Sequence, residues 1–275
     1  MQTLDNTLPD GIFYRHWQAP APRATVLLAH GLGEHSGRYR HVAESLAGRG
    51  ISTLAPDHPG HGRSPGRRCH IAAFEAFYPA LDALRDEIEV SYPGLPCFLI
   101  GHSMGGLIAG NFLLTRQHRF AGAVFSAAAF AVPKPPGAVA TVINRVLAAL
   151  IPTLGVLQLD AGAVSRDAQV VRRYRQDPLV HDGKISAALL VALFAAMRAL
   201  EAGRATLTLP VLVMHGDGDV MTPVSGSRHF HEGVSSADRS LRIYPGLYHE
   251  IFNEPEREQV LGELGEWLQA RLLKA

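Results

Sequence analysis

The 275-residue chain holds only two cysteines, Cys69 and Cys97, and no Cys-x-x-Cys pair. That excludes a disulfide framework and gives no sign of zinc or dithiol chemistry, so packing must hold the fold together. Charge of either sign is no more abundant. With a formal net charge of +1 the chain lacks the electrostatic footprint of a nucleic-acid binder. Its densest basic segment, Arg172-Arg173-Tyr174-Arg175, reads as a solvated helix face. Long hydrophobic runs are missing too. Ala187 to Met197 is the longest, well short of the roughly 20 residues that span a bilayer. Met1 to Asp10 is polar and shows no apolar signal-peptide core, so the chain is expected to be soluble and cytoplasmic. Internal repeats and low-complexity segments are also lacking.

What is present is apolar and periodic. An apolar fraction of 47% supplies a sizeable core, and the length suits one large α/β domain with an insertion better than two domains. Strands are predicted at Gly11 to Trp17, Ala24 to Ala29, Ile51 to Ala55, Cys97 to Ile100 and Ala121 to Ser126. Between them, Val42 and Leu46 mark one helix, and the spacing of Phe74, Phe77, Leu81, Leu84 and Ile88 marks another. This alternation implies a mostly parallel central sheet flanked by helices on both faces. The rhythm breaks at Pro133, Pro135 and Pro136, and Val139 to Ile151 follows with a helical period. Residues 130–206 show no convincing strand and are read as a helical cap inserted between core segments 1–129 and 207–275. One crossover rarely needs so many residues.

The chemistry centres on Gly101-His102-Ser103-Met104-Gly105, between an apolar strand and a helical segment. Gly-x-Ser-x-Gly in that context is the nucleophile elbow of α/β-hydrolases, where a strained turn lifts the serine hydroxyl off the sheet. A serine needs a base, and the base needs an acid to fix its tautomer. In this fold the chain order is Ser, acid, His. Among 14 histidines, His249 fits a loop after the last strand, whereas His215 and His229 come too early. Asp217 and Asp219 both follow the preceding strand; Asp219, two residues farther along the loop, is preferred, and Asp217 would brace the turn. The oxyanion donors would be the backbone N–H of Met104 and, from the His30-Gly31-Leu32 loop, that of Leu32.

Four segments together resemble the family of monoacylglycerol lipases and their bacterial lysophospholipase-like relatives. They are His30-Gly-Leu-Gly-Glu-His-Ser-Gly-Arg-Tyr39, Asp57-His-Pro-Gly-His-Gly-Arg-Ser64, Gly101-His-Ser-Met-Gly-Gly106 and Tyr248-His-Glu-Ile-Phe-Asn-Glu254. The resemblance spans both core segments and not the cap. It implies an α/β-hydrolase fold and cofactor-independent hydrolysis of a single-chain acyl ester by Ser103, Asp219 and His249. It also favours Asp219 over Asp217, because His215-Gly-Asp-Gly-Asp219 is similar to the family's Gly-x-x-Asp loop. Positions matching the family's head-group site are Glu34, Arg38 and His102. Their competing roles are structural: Glu34 and Arg38 pairing to brace the loop, His102 as a satisfied neighbour of the elbow. Leu32 departs from the family in being bulkier than the small residue often found there.

His58 and His61 lack a third ligand at sensible spacing, so no metal site is expected and their loop should pack beneath the active site. Apolar cap helices would line an acyl tunnel and allow transient contact with a lipid surface. The expected partner is therefore a small lipid ester. Two rival readings remain at this level: a lysophospholipase, thioesterase or general esterase on the same triad, and a non-catalytic ligand-binding protein on a hydrolase fold.

Overall fold

Residues 1–272 are described by a computed structural model. The continuous apolar runs become strands buried on both faces. β1 (Gln2–Thr7), β2 (Phe13–Gln18) and β3 (Ala24–Ala29) precede helix α1 (Arg40–Ala47) and β4 (Ile51–Pro56). α2 (Tyr78–Ser91), β5 (Cys97–His102), α3 (Met104–Arg116) and β6 (Gly122–Ser126) complete the first core segment. The intervening segment carries α4 (Ala138–Leu150), β7 (Gly155–Leu157), α5 (Ala168–Gln176), β8 (Ile185–Ser186) and α6 (Ala187–Gly203). β9 (Val211–Gly216), α7 (Val224–Gly233), β10 (Arg239–Tyr244) and α8 (Arg257–Leu272) follow.

Eight strands form one sheet in the order β1-β2-β4-β3-β5-β6-β9-β10, and β4 through β10 run parallel. β2 pairs antiparallel with both β1 and β4. Because strand side chains alternate between faces, Leu27 and Leu99 join a core with α2, α3 and α6. Val26, Leu28, Phe98 and Ile100 point the other way, into a core with α1 and α8. Helices thus cover both faces, as a parallel sheet requires.

Two elements differ from expectation. β1 lies in the polar start, where no strand was predicted; as an edge strand with an exposed side it needs the β2 ladder but no hydrophobic alternation. The region read as helical also holds a small antiparallel β7–β8 pair, too short at Ile185–Ser186 to leave a period in the sequence. In addition, the Phe74 segment opens with a 3-10 turn, Phe74–Phe77, before α2 begins.

In an open parallel sheet, loops leaving the carboxyl ends of the strands converge on one crevice. Here those are the loops after β3, β5, β6, β9 and β10. They carry His30 to Arg38, Ser103, Ala127 to Phe130, Asp217 to Thr222 and Gly246 to Glu250.

Candidate active site

Ser103 sits between β5 and α3 at φ +53° and ψ −120°, a region that residues with a side chain rarely adopt. Such strain costs on the order of 1–3 kcal/mol and persists only if its surroundings over-determine it. They do. The Ser103 N–H donates to the Ser126 carbonyl (3.0 Å), and its own carbonyl accepts from the N–H groups of Gly106 (2.9 Å) and Ala129 (3.0 Å). The two motif glycines permit this tight packing. A Cβ on Gly105 would strike the carbonyls of Ala29 and His30 at the end of β3, and one on Gly101 would strike Gly105 and Gly106.

The hydroxyl oxygen of Ser103 lies 2.8 Å from His249 Nε2, and His249 Nδ1 lies 2.7 Å from Asp219 Oδ2. Asp219 and His249 are buried, whereas Ser103 is partly open. Asp219 is held on both oxygens. Oδ1 accepts from the N–H groups of Met221 (2.7 Å) and Thr222 (3.0 Å); Oδ2 lies 2.8 Å from Thr222 Oγ1 and 3.1 Å from His215 Nε2. Burial alone would raise the Asp219 carboxyl, but His249, His215 and these donors hold it well below the usual carboxylate range. Burial alone would likewise depress His249, yet the charge and hydrogen bond of Asp219 more than offset it, so its pKa is raised. The arrangement can take a proton from Ser103 and stabilise the resulting imidazolium. Asp217 stands apart and accepts from the Gly246 N–H at 2.6 Å, bracing the turn.

Leu32 and Met104 line the same cavity as Ser103 and His249. Met104 begins α3, so its N–H has no acceptor within the helix. The loop carrying Leu32 is fixed by Glu34, whose Oε1 accepts from the Gly31 N–H (2.6 Å) and the Tyr39 hydroxyl (2.5 Å). Glu34 Oε2 accepts from Arg38 (2.6 Å), which forks onto both oxygens of Glu250 (2.6 and 2.7 Å) and stacks over Tyr174 of α5 at 4.6 Å. Burial would lower the Arg38 pKa, but Glu250 and Glu34 drive it well above its ordinary value. His102 is buried beside Ser126 Oγ (3.2 Å), its ring 4.8 Å from that of His249; burial, reinforced by His249, pushes its pKa down to about 3. Glu34, Arg38 and His102 thus gather next to the Gly31–Leu32 loop without lining the cavity itself.

That cavity measures about 410 Å³, within the range of small-molecule sites, and opens onto Ser103. Leu159, Leu190, Leu193, Phe194 and Met197, all between β6 and β9, supply its apolar wall. His30, His58 and His61 pack together below the loop, with His30 and His58 centroids 4.2 Å apart. Among the described residues no cluster of three or more His, Cys, Asp or Glu has metal-binding geometry, and no helix is long and apolar enough to cross a membrane. Cys69 and Cys97 are buried free thiols whose pKa values burial pushes up to about 12 and about 11. Thr222, His215, Glu250, Tyr39 and Tyr174 were given no site role from the sequence; Tyr39, His215 and Glu250 lie within the quoted motifs, whereas Thr222 and Tyr174 carry no such signal.

Known proteins resemble this chain along nearly its whole length. A family model described as serine aminopeptidase, S33, matches residues 20–256. A monoacylglycerol lipase of Mycolicibacterium smegmatis is 40% identical over 95% of this chain and 94% of its own. The human monoglyceride lipase is 34% identical over 96% of this chain and 88% of its own. The crystal structure of a monoacylglycerol lipase from Paleococcus ferrophilus superposes with a TM-score of 0.86 at 36% identity, covering 94% of this chain and 99% of that one. With a strained serine at the elbow, a buried relay behind it and these matches along nearly its whole length, the chain belongs to the α/β-hydrolase family of serine hydrolases that includes the monoacylglycerol lipases.

Proposed function

We propose that this protein hydrolyses monoacylglycerols or similar single-chain acyl esters by a Ser103-His249-Asp219 triad. One observation carries the reading: the relay of 2.8 and 2.7 Å opens into a largely apolar cavity of about 410 Å³. Ser103 Oγ attacks the ester carbonyl while His249 Nε2 takes its proton. The tetrahedral oxyanion is held by the N–H groups of Leu32 and Met104, each such donor contributing roughly 2.7–4 kcal/mol to transition-state stabilisation. His249 then gives its proton to the departing glycerol oxygen, leaving an acyl-serine. Water, deprotonated by His249, attacks that ester and releases the fatty acid. Asp219 stays ionised throughout and stabilises the imidazolium.

In this reading residues 130–206 form the cap and supply the acyl wall. Val139, Val142, Ile143, Val146 and Leu150 of the same segment are exposed and would meet the lipid surface on which a cytoplasmic enzyme finds its substrate. Glu34, Arg38 and His102 act on the glycerol head chiefly by fixing the oxyanion loop beside it. The test is a fluorophosphonate probe together with turnover of a monoacylglycerol series. Wild type should label and hydrolyse, and Ser103→Ala should lose both, with kcat down at least about 10⁴-fold. Absence of labelling in the wild type refutes the hydrolase reading, and preference for acetyl over long-chain esters refutes the acyl cavity.

A further inference from the structure

His215, next to last in β9, is completely buried, as is Ser227, which faces it from α7. Its Nε2 lies 3.1 Å from Asp219 Oδ2 and 3.0 Å from the carbonyl oxygen of Thr222. Both neighbours only accept, so Nε2 must carry the proton. Nδ1 is 2.7 Å from Ser227 Oγ; in the neutral ring it accepts the serine hydroxyl, which fixes the tautomer. Asp219 Oδ2 therefore stands between two imidazoles, His249 at 2.7 Å and His215 at 3.1 Å, and only His249 reaches Ser103.

We propose that His215, oriented by Ser227, is a positioning residue for the catalytic acid. It pins Asp219 Oδ2 in line with His249 and, by donating to that oxygen, moderates how strongly the carboxylate draws on the His249 proton. The inference rests on the triad reading above. Two consequences separate it from mere core packing. Removal of the N–H donor leaves Oδ2 held by Thr222 Oγ1 and His249 alone and loosens its alignment with the His249 ring, which harms proton transfer more than substrate binding. The carboxylate also loses a donor and becomes more basic, so the imidazolium of His249 is held more tightly.

The experiment compares wild type, His215→Phe, His215→Gln, Ser227→Ala and Ser103→Ala in kcat, KM and the pH dependence of kcat/KM on a monoacylglycerol. Thermal unfolding of each variant runs in parallel. His215→Phe should lower kcat about ten- to a hundredfold with KM within about twofold, the loss of one hydrogen bond to a charged group. Its acid limb should move to higher pH. The other groups facing His249, namely Glu250, Glu34 and the His102 ring, are unchanged by the substitution. His215→Gln, whose amide can place an N–H near the Nε2 position, should recover most of kcat and return the acid limb. Ser227→Ala should show a smaller fall in the same direction. If the phenylalanine variant fails to fold, the glutamine and Ser227→Ala pair carries the test. Folded variants with wild-type kcat and an unmoved acid limb overturn the proposal, as does a loss of stability alone. Activity surviving in Ser103→Ala would instead overturn the triad.

Discussion

Replacement of Glu34 by alanine distinguishes a head-group contact from a brace of the oxyanion loop. The carboxylate holds three donors: the Gly31 N–H at 2.6 Å, the Tyr39 hydroxyl at 2.5 Å and Arg38 at 2.6 Å. Arg38 keeps Glu250 in the variant, so its charge remains paired, but the Gly31 and Tyr39 donors are orphaned. At roughly 1–3 kcal/mol for each buried donor left unsatisfied, the two orphaned donors should together cost about 2–6 kcal/mol. Unfolding entropy near 2.1 cal/mol/K per residue gives about 0.6 kcal/mol/K for this length, so Tm should fall by roughly 3–10 °C. Slack in the Gly31–Leu32 segment should also weaken one oxyanion donor. Complete loss of a donor is worth about 10²–10³ in kcat, so a fall of roughly ten- to a hundredfold is expected. The assay pairs a monoacylglycerol with a p-nitrophenyl ester of the same acyl chain, which has no glycerol. A brace predicts the same fractional loss on both. A loss confined to the monoacylglycerol and expressed in KM, with Tm unchanged, would refute the bracing argument and return Glu34 to direct recognition.

Two further outcomes concern pH. His249 must be neutral to accept the Ser103 proton, and burial against the stronger pull of Asp219 leaves its pKa above the ordinary 6.5. kcat/KM should accordingly decline as pH falls through a value above 6.5; in Asp219→Asn that limb should move to lower pH while the rate drops on the order of 10⁴-fold. A pH profile with the acid limb unmoved in Asp219→Asn would contradict this. His58 is completely buried, neither ring nitrogen has a protein partner, and burial with His61 nearby lowers its pKa to about 3. Between 6.5 and 3 the unfolded chain binds the proton and the folded one does not. Stability is therefore complete above 6.5 and erodes as pH falls, by on the order of 2 kcal/mol at pH 5. His58→Leu should shift the acid-unfolding midpoint downward, and an unchanged midpoint by circular dichroism would exclude His58 as a contributor.

The sequence made legible what depends on local period and chain order. Val26 to Ala29 and Phe98 to Ile100 read as strands because both faces are buried and every position is apolar. Ser103 and His249 were legible because the elbow and the order of elements leave few alternatives. β1 was not, since an edge strand open to solvent carries no hydrophobic signature. The choice between Asp217 and Asp219 was nearly even from the loop alone, because both follow β9. What separates them in space is non-local: Asp217 turns to Gly246, whereas Asp219 turns to His249 and is enclosed by Thr222 and His215. Glu34 and Arg38 were found as residues, but a carboxylate that binds substrate and one that braces a loop have the same sequence. Only the direction of its two oxygens tells them apart.

The same logic explains why a strained serine can sit in a stable fold. Each charged group around Ser103 is compensated before any substrate arrives. Asp219 is surrounded by donors on both oxygens, and Arg38 lies between Glu34 and Glu250. His102 is kept neutral by burial. Little reorganisation is then left for the moment of reaction, which is where preorganised dipoles gain their advantage over water. These groups hang from strand ends or from loops tied to strand ends. The apolar wall of the cavity at Ser103 comes instead from α6 and the segment before it, through apolar contacts that tolerate change of size. In the function proposed above, chemistry is therefore fixed by the sheet and chain selection by residues 130–206, so that segment can diverge in sequence while the relay behind Ser103 keeps its geometry.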